Sequence, residues 1–142
     1  MNDITIPRYS EIEIGQTAEV KHTITEEDIQ SFGELSGDRN PLHFNQEWAE
    51  QTMFKGRIAH GLLTAAFVST AIGMKLPGPG TIYVSQHMNF KRPVRIGDSI
   101  TTKVEVAEKM DEKKHIKLNT TVVNQDGKTV LDGYAIVTLM RR

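Results

Sequence analysis

The chain has 142 residues, with 17 Lys and Arg against 18 Asp and Glu, a formal net charge of −1 with the histidines neutral. That length suits one domain, so 1–142 is read as a single unit, and the balanced charge offers no basic stripe for a nucleic-acid backbone. The absence of cysteine excludes disulfides, thiolate nucleophiles and Cys-ligated zinc.

The segment Met1 to Arg8 has neither the charged start nor the apolar run of a secretory leader, which makes a cytoplasmic location the default expectation. Thr17 to Ile24 is rich in β-branched residues and predicts a strand. Thr25-Glu26-Glu27-Asp28 then reads as a helix start with acids in its first turn, and Ile29, Phe32 and Leu35 recur at helical spacing. Gly37 should end this helix. Asp38-Arg39-Asn40-Pro41 is turn chemistry, since Asp and Asn bond their own backbone and Pro41 drives Asn40 toward an extended conformation. His43 is expected just after that stiffened loop. Asn45 can cap a further short helix through Trp48 and Ala49, ending near Lys55-Gly56.

Gly61 to Met74 is the most apolar stretch, far short of a membrane span, and its apolar residues cover most of a helical wheel. It predicts a helix buried on nearly all sides. Pro77-Gly78-Pro79-Gly80 breaks it, and the remainder predicts strands over Thr81 to Lys91, Ser99 to Met110, His115 to Gln125 and Lys128 to Met140. Gly97-Asp98, Asp111 to Lys114 and Asp126-Gly127 supply turns, the last a strong hairpin signal. Ile100, Val104 and Val106 share one strand face, as do Ile116, Leu118 and Val122. The expected architecture is α+β: a four-stranded antiparallel meander curled around one helix.

Asp38 and His43 lie five positions apart on a proline-stiffened loop, so a carboxylate and an imidazole can face one substrate. The same residues suit an Asx-turn with an incidental surface histidine, because Asp, Asn and Pro dominate turns anyway. A second feature is His60-Gly61 at the mouth of the apolar helix, where main-chain N–H groups lack partners and the dipole favours negative charge. An oxyanion brought to the Gly61 N–H would be stabilised there. Gly61 also fits a simpler reading, as a small residue at a crowded helix start.

Taken together, Ser36-Gly37-Asp38-Arg39-Asn40-Pro41-Leu42-His43 and Ile58-Ala59-His60-Gly61-Leu62-Leu63 resemble the MaoC-like dehydratases, and within them the (R)-specific enoyl-CoA hydratases. Gly80 to Gln86, Phe90-Lys91-Arg92-Pro93-Val94 and Ile96-Gly97-Asp98 extend the likeness, although other hot-dog enzymes share the Pro-Val and Gly-Asp elements. The resemblance implies a hot-dog fold and reversible addition of water to a 2-enoyl-CoA, giving the (R)-3-hydroxyacyl-CoA. It implies Asp38 and His43 as the catalytic pair, the Gly61 N–H as oxyanion donor, Asn40 as the residue orienting the loop, and Ser69 as a polar support from the central helix. Neither a metal nor an organic cofactor is implied. The implied partners are the acyl-thioester substrate and a second copy of the chain, paired through a free sheet edge.

Three rival readings remain. A 3-hydroxyacyl-ACP dehydratase or a thioesterase would use the same scaffold. A metal enzyme would use His43, His60 and Asp38 as ligands, and an acyl-thioester-binding module would use none of them catalytically. His22, His87 and His115 read as ordinary strand positions. Lys91 and Arg92 could meet CoA phosphates, and Trp48, Phe54 and Phe67 an acyl chain, but a solvated strand end and core packing are the commoner explanations.

Overall fold

The structure is a computed structural model describing residues 4–141, so the first three residues of the segment Met1 to Arg8 lie outside it. After a single 3₁₀ turn at Tyr9–Glu11, the chain forms β1 (Thr17–Thr23), α1 (Glu26–Ser36), α2 (Pro41–Phe44) and α3 (Gln46–Glu50). It continues with α4 (Gly61–Met74), β2 (Thr81–Phe90), β3 (Ser99–Met110), β4 (His115–Val123) and β5 (Thr129–Leu139).

Local chemistry explains the boundaries. Thr25 caps α1 through a reciprocal pair of bonds with Asp28, and Gly37 ends it in the left-handed region at φ 79°. Asn40 is extended (φ −51°, ψ 128°), as the following proline demands, and its side-chain oxygen accepts the N–H of Leu42. Pro41 then opens α2, so His43 sits on a short helical turn and not on loop. Asn45 caps α3 by accepting the N–H of Trp48.

All five strands lie in one antiparallel sheet of order β1-β3-β4-β5-β2. This corrects the expected four-stranded meander. Only β3, β4 and β5 follow one another; β2 pairs with the last strand, from Thr81 opposite Leu139 to Phe90 opposite Leu131, and Gly97-Asp98 is no hairpin. The physical reason is that the stretch from Lys91 to Asp98, stiffened by Pro93, carries the chain across to the far side of the sheet. There Gly97 N–H bonds Ile24 O, and β3 is flanked by β1 and β4.

The concave face holds the core. Ile100, Val104, Val106, Ile116, Leu118 and Val122 are all buried and pack, with Leu131, Ala135 and Val137, against Leu63, Val68, Ala71 and Ile72 of α4. A sheet wrapped in this way around one helix is the hot-dog fold. The wrapping is less complete than the helix's composition implied: Leu62 is 65 % and Met74 69 % exposed, and Ala66 and Ser69 are also open. Ile82, Tyr83, Val84 and Phe90 on the edge strand β2 are exposed too. The open side of α4 and edge strand β2 therefore form one apolar surface. Among the described residues no helix is long and apolar enough to cross a membrane.

Candidate active site

α1 ends at Gly37, which delivers Asp38 into the turn before α2. Asp38 is exposed, and its Oδ1 accepts the N–H of Asn40 at 3.2 Å, the local bond that shapes the turn. His43 projects from α2 into the protein and is nearly buried. Its Nδ1 lies 2.8 Å from the carbonyl oxygen of Ile58. A carbonyl only accepts, so Nδ1 carries the proton and Nε2 keeps its lone pair. Burial is the main cause that lowers the His43 pKa below its ordinary value; the Ile58 carbonyl and Asp38 raise it, while His60 and Arg57 add to the lowering.

His60, the residue capping α4, completes the cluster. Its Nε2 donates to the main-chain oxygen of Asp38 at 2.9 Å, and its ring packs against that of His43 at 4.0 Å between centroids, tilted by 32°. A carboxylate oxygen of Asp38 and one ring nitrogen from each histidine lie within 4.8 Å of one another. One water can bridge two such groups with ordinary hydrogen bonds of about 2.8 Å each. The same three side chains form the donor set that could hold a divalent metal ion.

Gly61 is the first residue of α4, and helix bonds begin only at Leu63 and Thr64, both of which donate to His60 O. Among the described residues the Gly61 N–H makes no backbone hydrogen bond. Gly61 and His43 line one cavity of about 380 Å³, together with Phe54, Thr64, Phe90 and Val94. A side chain at Gly61 would meet the Phe90 ring, with a Cβ only 2.9 Å from Cε1, so any larger residue requires that ring to shift. Lys91 and Arg92 lie at the same cavity, although one guanidinium nitrogen of Arg92 is bonded to Thr129 O.

The structure thus gathers Asp38, Asn40, His43 and Gly61 at one end of α4. Ser69 is placed elsewhere: two turns further along the helix, on its open side, it lines a separate groove with Tyr83 and Gln86 of β2. Of the aromatic residues singled out from the sequence, Phe54 reaches the cavity, Phe67 stacks on His22 at 4.4 Å, and Trp48 is half exposed.

Arg57 and Thr64 carry no signal in the sequence reading. Arg57 donates from Nε to His43 O at 2.6 Å and clamps both carboxylate oxygens of Glu26 at 2.7 and 2.8 Å, which ties α2 to the start of α1. Its partners are 14 and 31 residues away, beyond any local pattern. Thr64 is buried at the cavity wall with an unpartnered hydroxyl.

These features define a class: a hot-dog domain in which a carboxylate and two imidazoles gather beside the start of its central helix. The comparisons narrow it. Residues 9–128 match the family described as MaoC like domain, and the chain belongs to that family. It is 45 % identical to the (R)-specific enoyl-CoA hydratase of Rhodospirillum rubrum over 99 % of this chain and 97 % of that one. It is 42 % identical to the 3-hydroxybutyryl-CoA dehydratase of Methylorubrum extorquens, over 99 % of this chain and 88 % of the relative. Among solved structures, the unliganded R-hydratase PhaJ1 of Pseudomonas aeruginosa superposes with a TM-score of 0.87 at 47 % identity, covering 94 % of this chain and 86 % of that one.

Proposed function

We propose that the protein is an (R)-specific enoyl-CoA hydratase, which adds water reversibly across the double bond of a 2-enoyl-CoA. The observation that carries this reading is that the Asp38 carboxylate and the His43 imidazole come together beside the start of α4, where His43 and Gly61 line one small cavity. The near full-length likeness to relatives named for this reaction, or its reverse, supports it.

In this reading the thioester oxygen is held at the Gly61 N–H, at the positive end of the α4 dipole, where negative charge develops as C2 becomes enolate-like. Water held between the Asp38 carboxylate and the free Nε2 of His43 attacks C3. The pair removes one proton from that water and returns a proton to C2 on the same face. Atoms balance as one water added, and no cofactor is required. Asn40 serves by shaping the turn: its side chain caps α2 while its N–H bonds Asp38. Lowering of the His43 pKa keeps the imidazole neutral, and so able to accept a proton, near neutral pH.

A second copy of the chain covers the open face formed by α4 and β2. A ten-residue edge strand with exposed Ile82, Tyr83 and Val84 beside exposed Leu62 is an unstable surface for an isolated chain. Pairing about a two-fold axis buries it symmetrically. Ser69 then lies at the junction between copies, and its role there is to support the packed groove.

The deciding experiment for the reaction is chiral analysis of the product formed from crotonyl-CoA. The (R)-3-hydroxybutyryl thioester is expected, and a mainly (S) product removes the protein from this mechanism. Parallel assays with acyl-carrier thioesters separate a CoA enzyme from a 3-hydroxyacyl-ACP dehydratase, and release of free thiol would indicate a thioesterase.

A further inference from the structure

His60 does not line the cavity, yet it touches both members of the proposed pair. The ring is 2 % exposed and held among three others: Phe32 at 4.7 Å, Phe44 at 5.5 Å and His43 at 4.0 Å between centroids. Its backbone is also fixed, because His60 O accepts the first two helical bonds of α4. Nε2 bonds the carbonyl of Asp38, which assigns the proton to Nε2 and leaves Nδ1 as a buried acceptor with no partner. A buried imidazole with one unsatisfied nitrogen is a poor choice for packing alone, since an apolar ring would avoid that cost. What an apolar ring could not do is hold Asp38.

We propose that His60 is a positioning residue that sets both halves of the pair at once, fixing Asp38 through its main-chain carbonyl and bracing the His43 ring by direct packing. Asp38 needs such a tie. It is exposed on a turn, and its carboxylate is otherwise bonded only to the nearby N–H of Asn40 among the described residues. The same histidine starts the helix whose first N–H is assigned to the thioester oxygen, so one residue registers acid–base pair and oxyanion donor to each other. Displacement of such groups by about 1 Å is enough to cost on the order of 100-fold in rate. This inference rests on the assignment of Asp38 and His43 as the pair.

Two substitutions separate the two contacts. His60→Phe keeps an aromatic plate against His43 and deletes the donor to Asp38; His60→Gln reaches Asp38 O with its amide N–H and deletes the plate. With crotonyl-CoA the phenylalanine variant should lose roughly 10- to 100-fold in kcat, with KM changed much less because His60 lies off the cavity. Glutamine should recover a large part of that kcat. Should phenylalanine not fit its cage, His60→Leu deletes the same donor from a smaller side chain and must lower kcat likewise.

A folded His60→Phe or His60→Leu protein with wild-type kcat overturns the proposal, as does a glutamine variant as slow as phenylalanine. A wild-type protein that hydrates no enoyl thioester, or an Asp38→Asn protein of normal rate, overturns the underlying assignment and this proposal with it.

Discussion

Replacing Gly61 with proline removes one hydrogen-bond donor from the site while leaving the helix that carries it. Proline is suited to the first position of a helix, where its missing N–H has no helical partner to lose. The structure meets both conditions: α4 begins at Gly61, and its first bonds to His60 O come from Leu63 and Thr64. The preceding residue must be extended, and His60 already is, at φ −60° and ψ 134°. The expected effect is therefore kinetic. Loss of one oxyanion donor costs about 100- to 1,000-fold in kcat, or about 2.7–4 kcal/mol of transition-state stabilisation. Proline also introduces a Cβ, which would fall 2.9 Å from Phe90 Cε1, so the ring must turn aside. Gly61→Ala imposes that same displacement but keeps the N–H, and its loss measures the crowding alone. Because Phe90 is 54 % exposed on an edge strand, its ring has room to yield, and alanine should retain far more activity than proline. Both variants are to be assayed by loss of the enoyl-thioester absorbance, with folding checked by circular dichroism. Equal rates in two folded variants would refute the role given to the amide.

Acid conditions supply a further test. The His43 pKa is lowered, chiefly by burial, so the imidazole stays neutral below its ordinary titration range, and the acid limb of kcat/KM should fall at lower pH than for a free histidine. For this group the unfolded chain binds a proton first, so stability is full above the unfolded pKa and declines as pH falls toward the folded one; a His43→Gln protein should show a weaker decline in Tm over that window. Light scattering should give twice the chain mass at assay concentration, and Ile82→Lys on the exposed edge of β2 should shift the protein toward monomer. Metal analysis of purified protein should find no stoichiometric metal, and chelator should leave hydration unchanged; activity that requires a bound divalent ion would assign Asp38, His43 and His60 as its ligands.

Much of the fold was legible because its signals are local. The Thr25–Asp28 cap, the Gly37 stop, the turn at Asp38 to Pro41, the cap of Asn45, the extent of α4 and the alternation in β3 and β4 all depend on residues a few positions apart. Sheet order was not legible, because pairing of β2 with β5 joins segments more than forty residues apart. A single trace of it exists in Gly133, where a Cβ would collide with the carbonyl of His87 on the neighbouring strand. A glycine within a strand says only that something approaches closely, not what. Likewise the apolar wheel of α4 pointed to burial on nearly all sides, whereas Leu62, Ala66 and Met74 face the open apolar surface. Composition records that a surface is to be covered and is silent on whether the same chain or a second copy covers it.

At the site, Asp38, Asn40, His43 and Gly61 could be singled out because each stands in a short motif whose turn or helix-start chemistry is itself local. The tie from His60 to Asp38 spans 22 residues, and the clamp of Arg57 on Glu26 spans 31. Such contacts exist only once α1, α2 and α4 have packed. The expected place of Ser69 came from the resemblance, and helix geometry puts that side chain two turns from the pair, toward β2.

The central claim is that Asp38 and His43 together move the protons of thioester hydration. Its most direct test compares crotonyl-CoA hydration by the wild-type protein with that by Asp38→Asn and His43→Gln, each shown to be folded. Both substitutions conserve size and remove a proton-transfer group, so each should lower kcat by about 100-fold or more, in the range typical of a positioned general acid or base. Near-normal turnover by either folded variant would contradict the account.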